Sequence, residues 1–202
     1  MATTREAPSL NTYNRILDGT AAAAMDKGLR ACTVQDILGS AGISRRTFYQ
    51  YFSSKEDAFR GLYESYTVRL VAAMHAATDE TEGDVPKILA ALNTFLDFQV
   101  EGGELLMQLH AEAIRPESEL LPVREEVLDR IVNLLDLHVG NALDVRLDKM
   151  IYRSLILGIE GLCIHIERQG HFNKADADEV RRIAQPMMVA VLSSHQRLPK
   201  RE

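Results

Sequence analysis

Cysteine is scarce in this chain. Cys32 and Cys163 are the only two, and their separation suits neither a disulfide framework nor zinc-ligand spacing. They read as small buried residues in a reducing compartment. No run of about 18 apolar residues occurs, which excludes a membrane-spanning helix. The opening stretch MATTREAPSLNTYNR has no apolar segment of the secretory type, so a cytoplasmic location is expected. Low-complexity tracts, internal repeats and sustained strand-like alternation are all missing. So are the signatures of catalysis: no Gly-rich phosphate loop, no HExxH, no G-x-S-x-G, no clustered Cys and His. His110 and Glu112 do not share a helical face, and His138, His165 and His171 have no ligand spacing. Neither an enzyme nor a cofactor nor a metal site is expected.

What is present is an ordinary globular composition. Of 202 residues, 46% are apolar and 26% charged, enough to bury a real core. The net charge of −6 argues at first against nucleic acid. Its distribution argues the other way. Residues 1–60 carry eight Lys/Arg (Arg5, Arg15, Lys27, Arg30, Arg45, Arg46, Lys55, Arg60) against six Asp/Glu, a net of +2. The remaining residues carry 15 against 23, a net of −8. A mildly basic head on an acidic body orients the head toward phosphates.

Apolar spacing is helical nearly throughout, which predicts an all-α fold. A first helix is expected over Asn11–Lys27, with Ile16, Leu17, Ala21, Ala24 and Met25 inward and Gly28 at its C-cap. The second starts at Thr33, where Thr33 and Asp36 have capping-box spacing, and buries Val34, Ile37, Leu38 and Ala41. Gly42 allows the positive φ of a sharp turn. Ser44 then caps a short third helix, Arg45 to Tyr51, anchored by Phe48 and Phe52. Ser53 or Ser54, with Glu56 or Asp57, starts a long fourth helix reaching about Thr78. Further helices are expected over Val85–Glu101, Glu104–Ile114, Val123–Leu143, Arg146–Gln169 and Ala175–His195, with Pro186 kinking or interrupting the last.

Two short helices joined by a small-residue turn form the helix-turn-helix plan of DNA readers. The outer side of the third helix offers Ser44, Arg45, Arg46, Thr47, Gln50 and Tyr51. Arg reads guanine, Gln reads adenine and Thr meets a thymine methyl. Thr33, Tyr49, Tyr51 and Lys55 suit phosphates, Thr33 and Lys55 at helix starts that favour anions.

The string Thr33-Val34-Gln35-Asp36-Ile37, Ala41-Gly42-Ile43-Ser44, Thr47-Phe48-Tyr49-Gln50-Tyr51-Phe52-Ser53-Ser54-Lys55-Glu56-Asp57 resembles the TetR (tetracycline-repressor) family of bacterial regulators, over roughly residues 13–63. Leu38 stands where that family usually has Ala, Arg46 where Gly is frequent, and Ala58 where Leu is frequent. The resemblance implies a homodimeric repressor whose two heads read half-sites about 34 Å apart. It also implies a C-terminal body in which a small molecule shifts the fourth helix and spreads the heads. The corresponding division is a helix-turn-helix DNA-binding domain at 1–56 and a helical ligand-binding and dimerisation domain at 57–202.

The body adds its own indications. Ser154–Ile166 (SLILGIEGLCIHI) and Ile183–Leu192 (IAQPMMVAVL) are apolar on nearly all sides, and such helices must be covered all round. A two-fold interface through Leu155, Gly158, Ile159, Gly161, Leu162, Ile166, Val180, Met187 and Val191 would cover them; the core of one subunit is the other possibility. Asn93, Phe95, Phe98, Gln99, Met107, His110, Met150 and Tyr152 are candidates for a pocket. The expected function is a ligand-responsive regulator, a repressor first, binding a palindromic operator as a homodimer. A transcriptional activator or global regulator with the same head stays open, as does a helical small-molecule-binding protein without DNA function.

Overall fold

The computed structural model describes residues 9–143 and 147–194. Among these residues every regular element is a helix: α1 (Leu10–Lys27), α2 (Val34–Ala41), α3 (Arg45–Phe48), α4 (Lys55–Asp79), α5 (Asp84–Ala113), α6 (Leu121–Leu143), α7 (Lys149–Glu167) and α8 (Lys174–Ser194). The arm that carries Arg5, the expected helix start at Arg146 and the expected helix end at His195 lie outside the described residues.

Local chemistry sets the helix ends. Thr33 and Asp36 form the capping box in both directions. The Ser44 hydroxyl accepts from the Thr47 amide, and that of Ser54 from the Asp57 amide. Gly42 closes α2 at φ 61°, ψ 41°.

Three expectations are corrected. The third helix stops at Phe48. Its continuation to Tyr51 is a tighter turn, with the Gln50 amide on the Thr47 carbonyl at 3.1 Å and the Tyr51 amide on the Phe48 carbonyl at 2.9 Å. The two helices expected around Gly102-Gly103 run as one element, α5. Its break is a kink at Gly103 (φ 55°, ψ −153°), a conformation that glycine alone adopts readily. Pro186 does not interrupt α8, which continues to Ser194. It sits on the exposed side, where water can take the carbonyl that the missing N–H leaves.

Two apolar cores stack along the molecule. The head core packs Ile16, Leu17, Ile37, Phe48 and Phe52 against Phe59, Leu62 and Tyr63 of α4 and Leu105, Leu109 and Ala113 of α5. The body core gathers Leu70 and Met74 of α4 and Ile88, Leu92 and Leu96 of α5 with buried residues of α6, α7 and α8. Both α4 and α5 therefore cross from one core to the other, and the head core does not end at residue 56. On α1, Met25 is half exposed; Gly19, Thr20 and Ala23 take the inward places beside Ile16 and Ala24.

Gly19 is where α1 meets α2. A Cβ there would lie 2.5 Å from Ala41 Cβ and 2.6 Å from its backbone nitrogen. Gly19→Ala is expected to destabilise the chain by about 1–3 kcal/mol through overpacking. Urea denaturation checks this, and an unchanged midpoint would sink the close-packing account.

Candidate nucleic-acid interface

The outward segment begins at a turn that is braced from below. Arg15 of α1 donates from Nη2 to the carbonyls of Ala41 (3.1 Å) and Gly42 (3.2 Å), capping the end of α2 with a cation. Phe48 is fully buried and Phe52 nearly so, their rings 5.9 Å apart, and Tyr13 stacks on Phe52 at 5.3 Å. With Phe48 pulled inward, the opposite side of the segment must face water. Ser44, Arg45, Arg46, Tyr49 and Gln50 are exposed, and Thr47 is half-buried. Arg45 Nη2 donates to Gln35 Oε1 at 3.3 Å, which steers its guanidinium along the same face.

The remaining proposed contacts are placed less simply. Thr33 is exposed, but its hydroxyl already donates to Asp36 Oδ2 at 2.6 Å, and this bond with the Thr33 amide holds the Asp36 carboxyl below its usual range. Tyr51 and Lys55 are not free phosphate ligands in this structure. The Tyr51 hydroxyl accepts from the Ser9 amide at 2.7 Å and lies 3.3 Å from the Ser9 carbonyl. Lys55 Nζ donates to the carbonyls of Arg30 (2.9 Å) and Cys32 (2.8 Å), tying the α1–α2 loop to the start of α4. Arg60 pairs with Asp57 and Glu64. Of the cations counted for the head, Arg15, Lys55 and Arg60 thus serve its internal structure, and Arg45 and Arg46 carry the charge of the outward face.

In the body, the two apolar helices split their faces. Ile159 and Val180 pack in the body core, and Leu155 is buried as well, so none of the three is open to a partner, which corrects the expected interface at those positions. Leu162, Ile166 and Val191 are half-buried. The outward face is formed by Leu157, Gly158 and Gly161 of α7 with Ile183 and Met187 of α8. A Cβ on Gly158 or Gly161 would meet nothing within 4 Å.

A cavity of about 30 Å³ lies inside the body, with an almost wholly apolar wall that includes Met74, Phe95, Ile131, Ile156 and Met188. Phe95 is the one expected pocket residue on that wall. Met150 is 61% exposed and points away from the interior. Asn93 accepts from Gln185 Nε2 at 3.2 Å, joining α5 to α8. Phe98 meets Tyr66 edge to face. Met107 and Tyr152 pack in the body core.

Gln99 and His110 are buried and belong to a polar cluster. Gln99 Nε2 lies 3.3 Å from His110 Nδ1, a contact that spans the Gly103 kink. His110 Nδ1 is 3.9 Å from Glu160 Oε1. Glu160 is paired with Arg124 of α6, Arg124 Nε 3.4 Å from Oε1 and Nη2 on Oε2. The Tyr63 ring of α4 meets His110 edge to face at 5.5 Å. Burial lowers the His110 pKa and raises that of Tyr63, so both groups are neutral near pH 7. Arg124 and Glu160 escaped the sequence reading. The signal was there for Glu160: a single acid within SLILGIEGLCIHI must find a cation or stay costly. Nothing in the sequence singles out Arg124 as that cation. Cys32 and Cys163 are both buried, and burial pushes the Cys163 thiol up to about 12.

Comparison with known proteins bears out the resemblance read from residues 33–57. Residues 16–62 match the family model described as bacterial regulatory proteins, tetR family. The chain is 30% identical over 74 residues, 37% of its length, to the HTH-type transcriptional activator FasR of Mycolicibacterium smegmatis, and that match covers 34% of FasR. It is 31% identical over 90 residues to the uncharacterized HTH-type transcriptional regulator YvkB of Bacillus subtilis, covering 45% of this chain and 46% of YvkB. The matches thus span about a third to a half of these relatives. In fold, the chain is similar to the transcriptional regulator FadR of Bacillus subtilis, solved in complex with stearoyl-CoA. The TM-score is 0.71 at 20% identity, over 85% of this chain and 97% of that one.

The buried histidine sets a pH dependence. The folded His110 pKa lies below its ordinary 6.5, chiefly through burial, so below that pH the unfolded chain binds a proton that the folded chain refuses. The contribution is present above about pH 6.5 and is lost as pH falls, by up to about 1.4 kcal/mol per pH unit for one such group. His138, also lowered by burial, acts with the same sign. Denaturation between pH 7.5 and 5.5 should show a shallower loss for His110→Gln than for the wild type. Equal slopes would remove His110 from this account.

Proposed function

Taking the first quarter of the chain as a TetR-family head, we propose that the protein is a DNA-binding transcriptional regulator, most simply a repressor. It binds a palindromic operator as a homodimer and is released by a small molecule held in the body. The carrying observation is the outward segment 44–50, where Ser44, Arg45, Arg46, Tyr49 and Gln50 face solvent. They do so because Phe48 anchors the opposite side. Arg46 is the chain's own addition to the pattern, and its exposed guanidinium is the first candidate for a guanine contact. Thr47 and Gln50 complete the base-facing set, with Thr33 and Tyr49 flanking it toward phosphates. Tyr51 and Lys55 join the phosphate list only if DNA competes with their bonds to Ser9, Arg30 and Cys32.

The functional division follows as a DNA-binding part at 1–56 and an effector and dimerisation part at 57–202, although the packing is shared across that line. Dimerisation is supported by the outward face of Leu157, Gly158, Gly161, Ile183 and Met187. The two glycines fill no need of the single chain, and their bare surface admits a partner helix closely. The apolar wall of the cavity suits an apolar part of an effector, which would open the space as it enters. FadR, with its stearoyl-CoA, makes acyl-bearing molecules the first class to try. Effector and operator would then oppose each other with a coupling free energy of about 1–3 kcal/mol. Among the described residues no helix is long and apolar enough to cross a membrane; the proposed work on DNA places the protein in the cytoplasm. An activator remains a second reading, since FasR is named as one.

Selection of bound duplexes from a random pool, followed by footprinting, tests the proposal. Two half-sites about one helical turn apart are expected, and recovery of no preferred sequence would overturn it. Arg46→Ala should weaken operator binding by about 1–3 kcal/mol and relax the preference at one base pair. An unaltered base preference would take Arg46 off the reading face. A Cβ at the exposed Gly161 meets nothing within 4 Å in its own chain, so Gly161→Trp, confirmed folded by circular dichroism, should sediment as a monomer and lose cooperative operator binding. A dimer of unchanged strength would place the interface elsewhere.

A further inference from the structure

The cavity and the buried polar cluster lie in register along two helices. Gln99 is one turn along α5 from Phe95, and Glu160 is one turn along α7 from Ile156; Phe95 and Ile156 both line the cavity. Residues four apart share a helical face, so the cluster forms the next layer beyond the cavity wall. The cluster is also incomplete. Gln99 is 1% exposed, and its Oε1 has no hydrogen-bond partner. Rotating the amide by half a turn would only exchange the satisfied end for the unsatisfied one. A buried amide end left this way is costly, and structures rarely tolerate it without a water or a ligand.

Charge narrows what that partner can be. The Arg124 cation is matched by the Glu160 carboxylate, His110 is neutral through burial, and the Tyr63 phenol stays protonated for the same reason. The cluster has a net charge of zero and no cation to spare. A carboxylate or ammonium end would bring an unmatched charge into the interior. A hydroxyl is uncharged, and it both donates and accepts, so it satisfies the amide in either orientation.

We propose that cavity and cluster are two halves of one amphiphilic site, whose occupant is an elongated apolar molecule ending in an uncharged hydroxyl-type group that hydrogen-bonds Gln99. This rests on the reading of the body as the effector site and names the effector's chemistry. The space of about 30 Å³ is room for little more than a water molecule. The occupant therefore opens the site as it enters, and Met74 and Met188 supply unbranched side chains on the wall that can repack around a chain.

Calorimetric titration of the full-length protein at pH 8 with dodecanol and with dodecanoate tests the proposal without any variant. Dodecanol should bind at least about tenfold more tightly, and Gln99→Leu, confirmed folded by circular dichroism, should lose about tenfold of the dodecanol affinity. Equal or tighter binding of dodecanoate, no binding of dodecanol, or undiminished dodecanol affinity in folded Gln99→Leu would each overturn it; the last outcome would leave Gln99 to an ordered water alone. The regulator reading is judged separately, by duplex selection without ligand. Operator binding with no dodecanol binding sinks this inference alone, whereas dodecanol binding with no selected duplex sinks the regulator reading and leaves the site.

Discussion

A helix of four residues has no stability of its own. Nucleating a helical turn fixes many dihedrals for one hydrogen bond, and α3 has room for almost nothing beyond that nucleus. Its existence depends on the burial of Phe48, with Phe52 one turn on, in the core beneath. That burial does two things at once. It supplies the free energy that a short segment lacks, and it decides which side faces out. Ser44, Arg45, Arg46 and Gln50 are outward, and Thr47 half so, because Phe48 is inward. Arg15, reaching from α1 to the carbonyls of Ala41 and Gly42, fixes the angle at which the segment leaves α2.

The same economy shapes the rest of the head. Its polar groups are largely used on one another: Thr33 with Asp36, Ser54 with Asp57, Tyr51 with Ser9, Lys55 with two loop carbonyls. A reading surface must hold its side chains steady, and this bonding holds the frame while leaving Arg45 and Arg46 exposed. The net charge of the head is therefore a poor measure of what it can offer a phosphate backbone.

How much of this was legible depends on the range of the interaction. Caps act over three residues and turns over four, so Thr33 with Asp36, Ser44, Gly42 and the two phenylalanines could be read directly from the string. Arg15 and Lys55 could not be placed, because their partners lie 26 and 23 residues away and are backbone carbonyls, which carry no sequence signal. Gly102-Gly103 read as a break, but spacing does not distinguish a loop from a kink that keeps α5 one element. In the body, an all-round apolar helix states that both sides are covered without stating by what. Hence the pattern does not separate Leu155, Ile159 and Val180, which are buried within the chain, from Gly158 and Gly161, which face out. Of the pocket candidates, Phe95 alone reached the cavity wall, since which apolar residues border a void is decided by tertiary packing.

The arrangement of the two cores limits how the body can act on the head. Among the described residues α4 and α5 are the helices that contribute buried residues to both, so they are the main route for a displacement among α6, α7 and α8. On α5 the path crosses Gly103, where the backbone leaves helical geometry and the Gln99–His110 contact bridges the two halves. On α4 it passes Tyr63, whose ring rests on that same histidine. Packed cores transmit small shifts because they resist continuous deformation, and a kinked helix is where such a shift can be absorbed as rotation. His110 thus touches both routes at once, beside the Glu160–Arg124 pair that joins α7 to α6. At the proposed site, a change in what Gln99 is bonded to would reach the contact across the kink and the contact on α4 together, and the head core that anchors Phe48 rests on both helices.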